Sequence, residues 1–140
     1  IGELLRDGLH HLFDQRPVMR QQLVEIDPVI GNVAHEGPQT KLGVVAMGYA
    51  DGIPRVAQGA GVFVDGVRAP IIGRVSMDQF VVDLGPDSTA NSGDWVIVFG
   101  DGSRGEYTAD DWGTASGSIN YEIVTRIGPR VPRIYAPHVY

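Results

Sequence analysis

Apolar and polar positions divide the chain into a short helical opening and a long β-rich remainder. Ile1, Leu4, Leu5, Leu9, Leu12 and Phe13 recur on one helical face with charged residues opposite, which predicts a short amphipathic helix. Pro17 ends it, since proline cannot continue the N–H ladder. Residues 18–26 then read as a strand closed by Asp27-Pro28. The run Leu42-Gly43-Val44-Val45-Ala46-Met47 predicts a buried strand, cut off by Gly48, Gly52 and Pro54. Gly61-Val62-Phe63-Val64 and Val67-Arg68-Ala69-Pro70 flank Asp65-Gly66, a strong hairpin signal because glycine accepts the positive φ of the tight turn. Residues 71–76 and 79–84 predict two more strands, and Trp95-Val96-Ile97-Val98-Phe99 a buried one by its length and β-branching.

The remaining stretches are less regular. Gly31, Asn32, Gly37 and Pro38 argue for a loop over residues 29–40, with at most a short strand near 30–34. His35 and Glu36 adjoin there, but neighbours in sequence do not share a face and no second histidine lies at ligand spacing, so no metal site is expected. Gly100-Asp101-Gly102-Ser103-Arg104-Gly105 matches the glycine pattern of dinucleotide-binding loops. No helix opens at those glycines and no βαβ unit surrounds them, so a hairpin turn is the better expectation. Thr108, with Asp111 three residues on, caps a short helix that Gly113 and Gly117 should stop. A second helical turn is expected over 119–126, and a proline-tolerant edge strand over 131–135. Roughly seven or eight short strands with little helix predict a mostly β fold, a small closed or partly open barrel or a sandwich.

Composition narrows the function. The 140 residues suit one domain with a real core. A net charge of −6 with scattered arginines gives no footprint for nucleic acid. No apolar run approaches a membrane span, and from the acidic opening no signal peptide is expected. The absence of cysteine excludes disulfide and thiolate chemistry and fits a cytoplasmic protein. Beginning at Ile1, the chain is expected to be cut from something longer. Lys41 is its one lysine, so a Schiff base from this chain would have to use it; placed between a polar loop and a strand, it is expected to be a solvated surface residue.

Two polar clusters interrupt apolar β sequence: Tyr49, Asp51 and Arg55 in one, and Arg74-Val75-Ser76-Met77-Asp78-Gln79 in the other. Each taken alone is compatible with an ordinary surface turn or bulge, or with a site built on a loop at a strand end.

Together with a third stretch they resemble one family. Gly48-Tyr49-Ala50-Asp51-Gly52-Ile53-Pro54-Arg55 is similar to the GYxDGxPR motif of alanine racemases. Ala69-Pro70-Ile71-Ile72-Gly73-Arg74-Val75-Ser76-Met77-Asp78-Gln79 resembles their PIxGRVxMDQ motif. Ile119-Asn120-Tyr121-Glu122 followed by Arg130-Val131-Pro132-Arg133 resembles their INYE…RVPR ending. Order and spacing agree over roughly residues 17–135, and the likeness is to the C-terminal β-domain alone. It implies a helical lead-in over 1–16 from a missing N-terminal domain and a β-barrel domain over 17–140.

In that family an N-terminal α/β barrel carries pyridoxal phosphate on a lysine, and the β-domain of a second subunit closes over the site in a head-to-tail dimer. The resemblance therefore implies L-alanine/D-alanine interconversion supplying D-alanine for peptidoglycan, with a small amino acid as substrate, by a chain inactive alone. By position, Tyr121 corresponds to the tyrosine that meets the cofactor phosphate, and Met77 and Asp78 to the substrate-pocket pair. Tyr49 corresponds to the gate tyrosine, with Arg55, Arg74 and Ile119 in the outer corridor. The family's catalytic tyrosine lies upstream of the gate in a VSYG-like segment. Here the corresponding region is Val29-Ile30-Gly31-Asn32, and no tyrosine precedes Tyr49, so no catalytic base is assigned. A diverged member whose β-domain is a non-catalytic interaction module is the alternative.

Overall fold

The computed structural model describes the backbone of residues 19–25 and residues 40–134 in full. The predicted helix near the start and the strand near 30–34 lie outside the described residues. Six strands form a closed antiparallel barrel: β1 (Met19–Glu25), β2 (Lys41–Val45), β3 (Gly61–Val64), β4 (Val67–Ile72), β5 (Phe80–Gly85) and β6 (Trp95–Phe99), in the order β1-β2-β5-β4-β3-β6. β1 closes the ring by pairing β2 at Leu23↔Val45 and β6 at Gln22↔Trp95. Closure gives each of these described strands a neighbour on both sides.

Strand periodicity explains the interior. Along β5 the buried positions alternate, so Phe80, Val82 and Leu84 face inward. β6 departs from alternation, with Val96, Ile97, Val98 and Phe99 all buried. Its outer cover comes in part from α1 (Ala109–Ser116), whose Trp112 donates its indole N–H to the Val98 carbonyl at 2.8 Å. Trp112 also meets Phe80 edge to face, with ring centroids 6.4 Å apart. α2 (Asn120–Thr125) follows, with Ile119 as its N-cap residue.

The fold departs from the sequence expectations in five places. β4 runs through Pro70 to Ile72 instead of ending at Pro70, since the Ile71 N–H bonds the Ala60 carbonyl at 2.9 Å and so resumes pairing past the proline. Residues 73–79, expected to be largely strand, are a loop. Gly113 lies inside α1 instead of stopping it: a Cβ there would come within 2.9 Å of the Ile119 backbone, so the missing side chain lets α2 pack closely. No ladder forms over 131–134. The Val131 N–H turns back to the Gly128 carbonyl at 3.2 Å, and the Arg133 guanidinium bonds the Ile127 carbonyl at 2.6 Å. The glycine-rich segment after β6 is a turn with one isolated bridge, Gly100↔Thr108, and not a regular hairpin.

Candidate functional site

The first polar cluster is a single 3₁₀ turn, Tyr49–Asp51, at the exit of β2. Asp51 is buried, and its Oδ2 accepts the Gly48 N–H at 2.8 Å, folding the turn on itself. The second cluster is the loop between β4 and β5. Backbone hydrogen bonds stitch the two together: Tyr49 N–H to Ser76 O and Ala50 N–H to Met77 O, both 3.0 Å, and Val75 N–H to Arg55 O at 3.1 Å. Gly48 makes this possible, because a Cβ at that position would lie 2.2 Å from the Met77 carbonyl oxygen. Tyr49, Arg55, Arg74, Met77 and Asp78 thus sit on two loops fused into one slab. Tyr49 is 40% and Met77 54% exposed, large side chains left open to solvent on a domain with a well-filled interior.

A residue without an assigned role completes the slab. Arg130 places Nε 3.1 Å from Asp51 Oδ1 and Nη2 2.7 Å from Asp78 Oδ1. The Asp78 hydrogen bond and then the Asp51 charge push its pKa further up from the ordinary arginine value. The signal was present in the sequence as the first arginine of the third motif, but its partners lie far upstream.

α2 carries the other predicted residues. Ile119 and Tyr121 are exposed at its start. Tyr121 lines an open depression of about 450 Å³ with Phe99, Asp101, Thr108, Asn120 and Val124; Tyr49 and Met77 are not among the lining residues. The segment after α2 joins the slab, since the Gly128 N–H donates to the Asp51 carbonyl at 2.9 Å. Lys41, expected to be a solvated surface residue, is half-buried and donates from Nζ to the carbonyls of Ala90 at 2.6 Å and Ser88 at 3.3 Å. Among the described residues no group of three or more metal-ligating side chains assembles, and no helix is long and apolar enough to cross a membrane.

The family model described as "Alanine racemase, C-terminal domain" matches residues 20–135. The chain belongs to that family. The alanine racemase of Streptomyces coelicolor is 58% identical over 98 residues, 69% of this chain and 25% of that protein. The alanine racemase of Frankia casuarinae is 59% identical over 98 residues, with the same coverage. Among solved structures, alanine racemase from the D-cycloserine producer Streptomyces lavendulae superposes with a TM-score of 0.73 at 44% identity, covering 89% of this chain and 35% of that one. The Bartonella henselae alanine racemase, solved with covalently bound pyridoxal phosphate, gives 0.69 at 29% identity, covering 84% and 31%. The match thus spans about a quarter of the length of the curated relatives. As an alanine racemase C-terminal domain, the chain presents its three family motifs on the Tyr49 turn, the Met77 loop and α2 with the segment that follows it.

Proposed function

We propose that this chain is the C-terminal domain of a pyridoxal-phosphate-dependent alanine racemase, lending pocket, corridor and dimer-interface residues to a site it does not contain. The observation that carries this reading is the fusion of the Tyr49 turn to the Met77 loop, which leaves two large side chains exposed on a rigid slab. Rigid support beneath exposed apolar groups suits a surface that another domain covers.

Each residue has a definite chemical capacity. The Met77 backbone N–H is suited to the substrate carboxylate, and Tyr49 narrows the approach beside it. Arg55 and Arg74, both exposed and with backbones joined through Val75, attract an anionic amino acid carboxylate. The exposed Tyr121 hydroxyl can donate to an anionic phosphate oxygen, so it fits the cofactor's phosphate end. Racemisation removes an α-proton from one face and returns one to the other, so two groups must oppose each other across the substrate. The cofactor, when bound, supplies the electron sink. Lys41 is committed to two carbonyls and does not suit the cofactor's attachment. On this reading the cofactor's lysine comes from an N-terminal barrel, and the chain alone is inactive.

A second reading is favoured by one fact. No tyrosine precedes Tyr49, so the parent could be a diverged member whose β-domain binds without catalysing. Grafting this chain in place of the C-terminal domain of the Streptomyces coelicolor enzyme, and assaying L- to D-alanine conversion, separates the two. Turnover comparable to the intact enzyme supports a working racemase domain. A well-formed dimer without turnover supports the diverged member.

A further inference from the structure

Arg130 is where three stretches of chain, distant in sequence, meet through side chains. It contacts Asp51 Oδ1 at 3.1 Å and Asp78 Oδ1 at 2.7 Å. The two carboxylates differ in kind. Asp51 has only 9% of its side chain exposed, and its other oxygen is held by the Gly48 N–H. Asp78 is 59% exposed, on the open loop next to Met77. One carboxylate is a fixed point and the other is not. The planar guanidinium joins them as a fork, carrying the position of the first to the second. Arg130 is itself anchored, because the Gly128 N–H bonds the Asp51 carbonyl and the Val131 N–H bonds that of Gly128.

We propose that Arg130 is a positioning residue: braced on Asp51, it sets Asp78 and Met77 against the Tyr49 turn and so governs how tightly a carboxylate substrate binds. The substrate half of this inference rests on the racemase reading above; the bracing half does not. An exposed ion pair contributes little by its own strength, so the effect comes from the buried end at Asp51. Arg130 also masks charge. Without it Asp78 would stand as an unpaired anion beside the corridor of Arg55 and Arg74 and oppose the arriving carboxylate.

Amide hydrogen exchange on the full chain tests the brace. The Tyr49 and Ala50 N–H groups bond to Ser76 and Met77, so they report the joint between the loops. In Arg130→Met they should exchange about tenfold faster, while the β5 amides keep their rates, as local opening requires. Arg130→Lys should recover part of the protection, since an ammonium lacks the fork that serves both carboxylates. Unchanged rates at Tyr49 and Ala50 would overturn the proposal, and so would equal acceleration everywhere, which marks a general stabiliser. If Arg130→Met does not fold, Asp78→Asn is read at the same two amides with the same criteria. In the grafted enzyme, Arg130→Met should raise KM for L-alanine about fivefold with kcat within about twofold, the pattern of lost binding. A fall in kcat at constant KM would overturn the substrate half. An inactive parent graft would instead sink the racemase reading and leave the exchange result to decide the brace.

Discussion

Gly52 faces the end of α2 so closely that a Cβ on it would lie 2.2 Å from the carbonyl oxygen of Arg126. Its φ of +108° is also one that side chains disfavour. Both facts hold the Tyr49 turn against the segment that carries Arg130. Gly52→Ala should therefore destabilise the chain by about 3 kcal/mol or more, combining backbone strain with a clash against main chain. Gly59→Ala is the control. Its φ is +90° but nothing lies within 4 Å, so strain alone applies, about 1–2 kcal/mol. Urea denaturation midpoints of the two variants measure the difference, and equal shifts would show that the contact with Arg126 is not a tight one.

Trp112 is fully buried, bonds the Val98 carbonyl and packs edge-on to Phe80. Trp112→Phe removes the indole N–H and leaves space that the closed barrel cannot readily fill. The expected cost is about 2–4 kcal/mol, from the lost hydrogen bond and the cavity together. Chemical denaturation followed by far-UV circular dichroism checks it. A loss below about 1 kcal/mol would mean that α1 is not anchored to the barrel through this ring.

How far this fold could be read from its sequence depended on the range of each signal. The Asp65-Gly66 hairpin and the Thr108–Asp111 cap are local, with every partner within a few residues, and both are present. The strand expected over 71–76 ends at Ile72, because apolar character beyond it serves burial in a loop: Val75 is buried with its N–H on Arg55. Gly113 resembles a helix stop locally, but its use, the approach of Ile119, is tertiary. The three motifs were legible as stretches, and the joint between the first two needed coordinates. Arg130 was missed for the same reason, since nothing near it in sequence names Asp51 or Asp78. Nothing local marks Lys41 as held, because the carbonyls that hold it, at Ser88 and Ala90, come from the connection after β5.

Asp65, at the β3–β4 turn, accepts the hydroxyl of Thr89 at 2.7 Å and its N–H at 3.0 Å. The hydroxyl bond first, and then the amide bond, lower its pKa from the ordinary 3.8. A carboxyl depressed on folding contributes stability above its unfolded pKa and loses it as pH falls through the folded value. The acid limb of the stability curve should therefore carry an Asp65 component that begins near pH 3.8 and is lost below it. Asp65→Asn should remove that component without changing the neutral-pH slope. The Thr89 amide, followed by NMR, should titrate with a midpoint under 3.8. A midpoint at or above that value would mean the hydrogen bonds do not favour the ionised carboxyl.

Lys41 is the one lysine, and its chemistry is limited by what it holds. Its ammonium donates to the Ala90 and Ser88 carbonyls, tying the start of β2 to the connection between β5 and β6. To form an imine, the amine must lose a proton and leave both carbonyls, abandoning hydrogen bonds worth about 1 kcal/mol each. Incubation of the full chain with pyridoxal phosphate and then borohydride should leave Lys41 largely unlabelled, as peptide mass analysis would show, and the chain alone should form no D-alanine. Lys41→Met should lower stability by about 1–2 kcal/mol. In the grafted enzyme it should leave turnover unchanged, since the residue stands apart from the slab. D-alanine formed by the chain alone and abolished by Lys41→Ala would reverse this reading, for it would require the amine to leave its carbonyls and act as the attachment point itself.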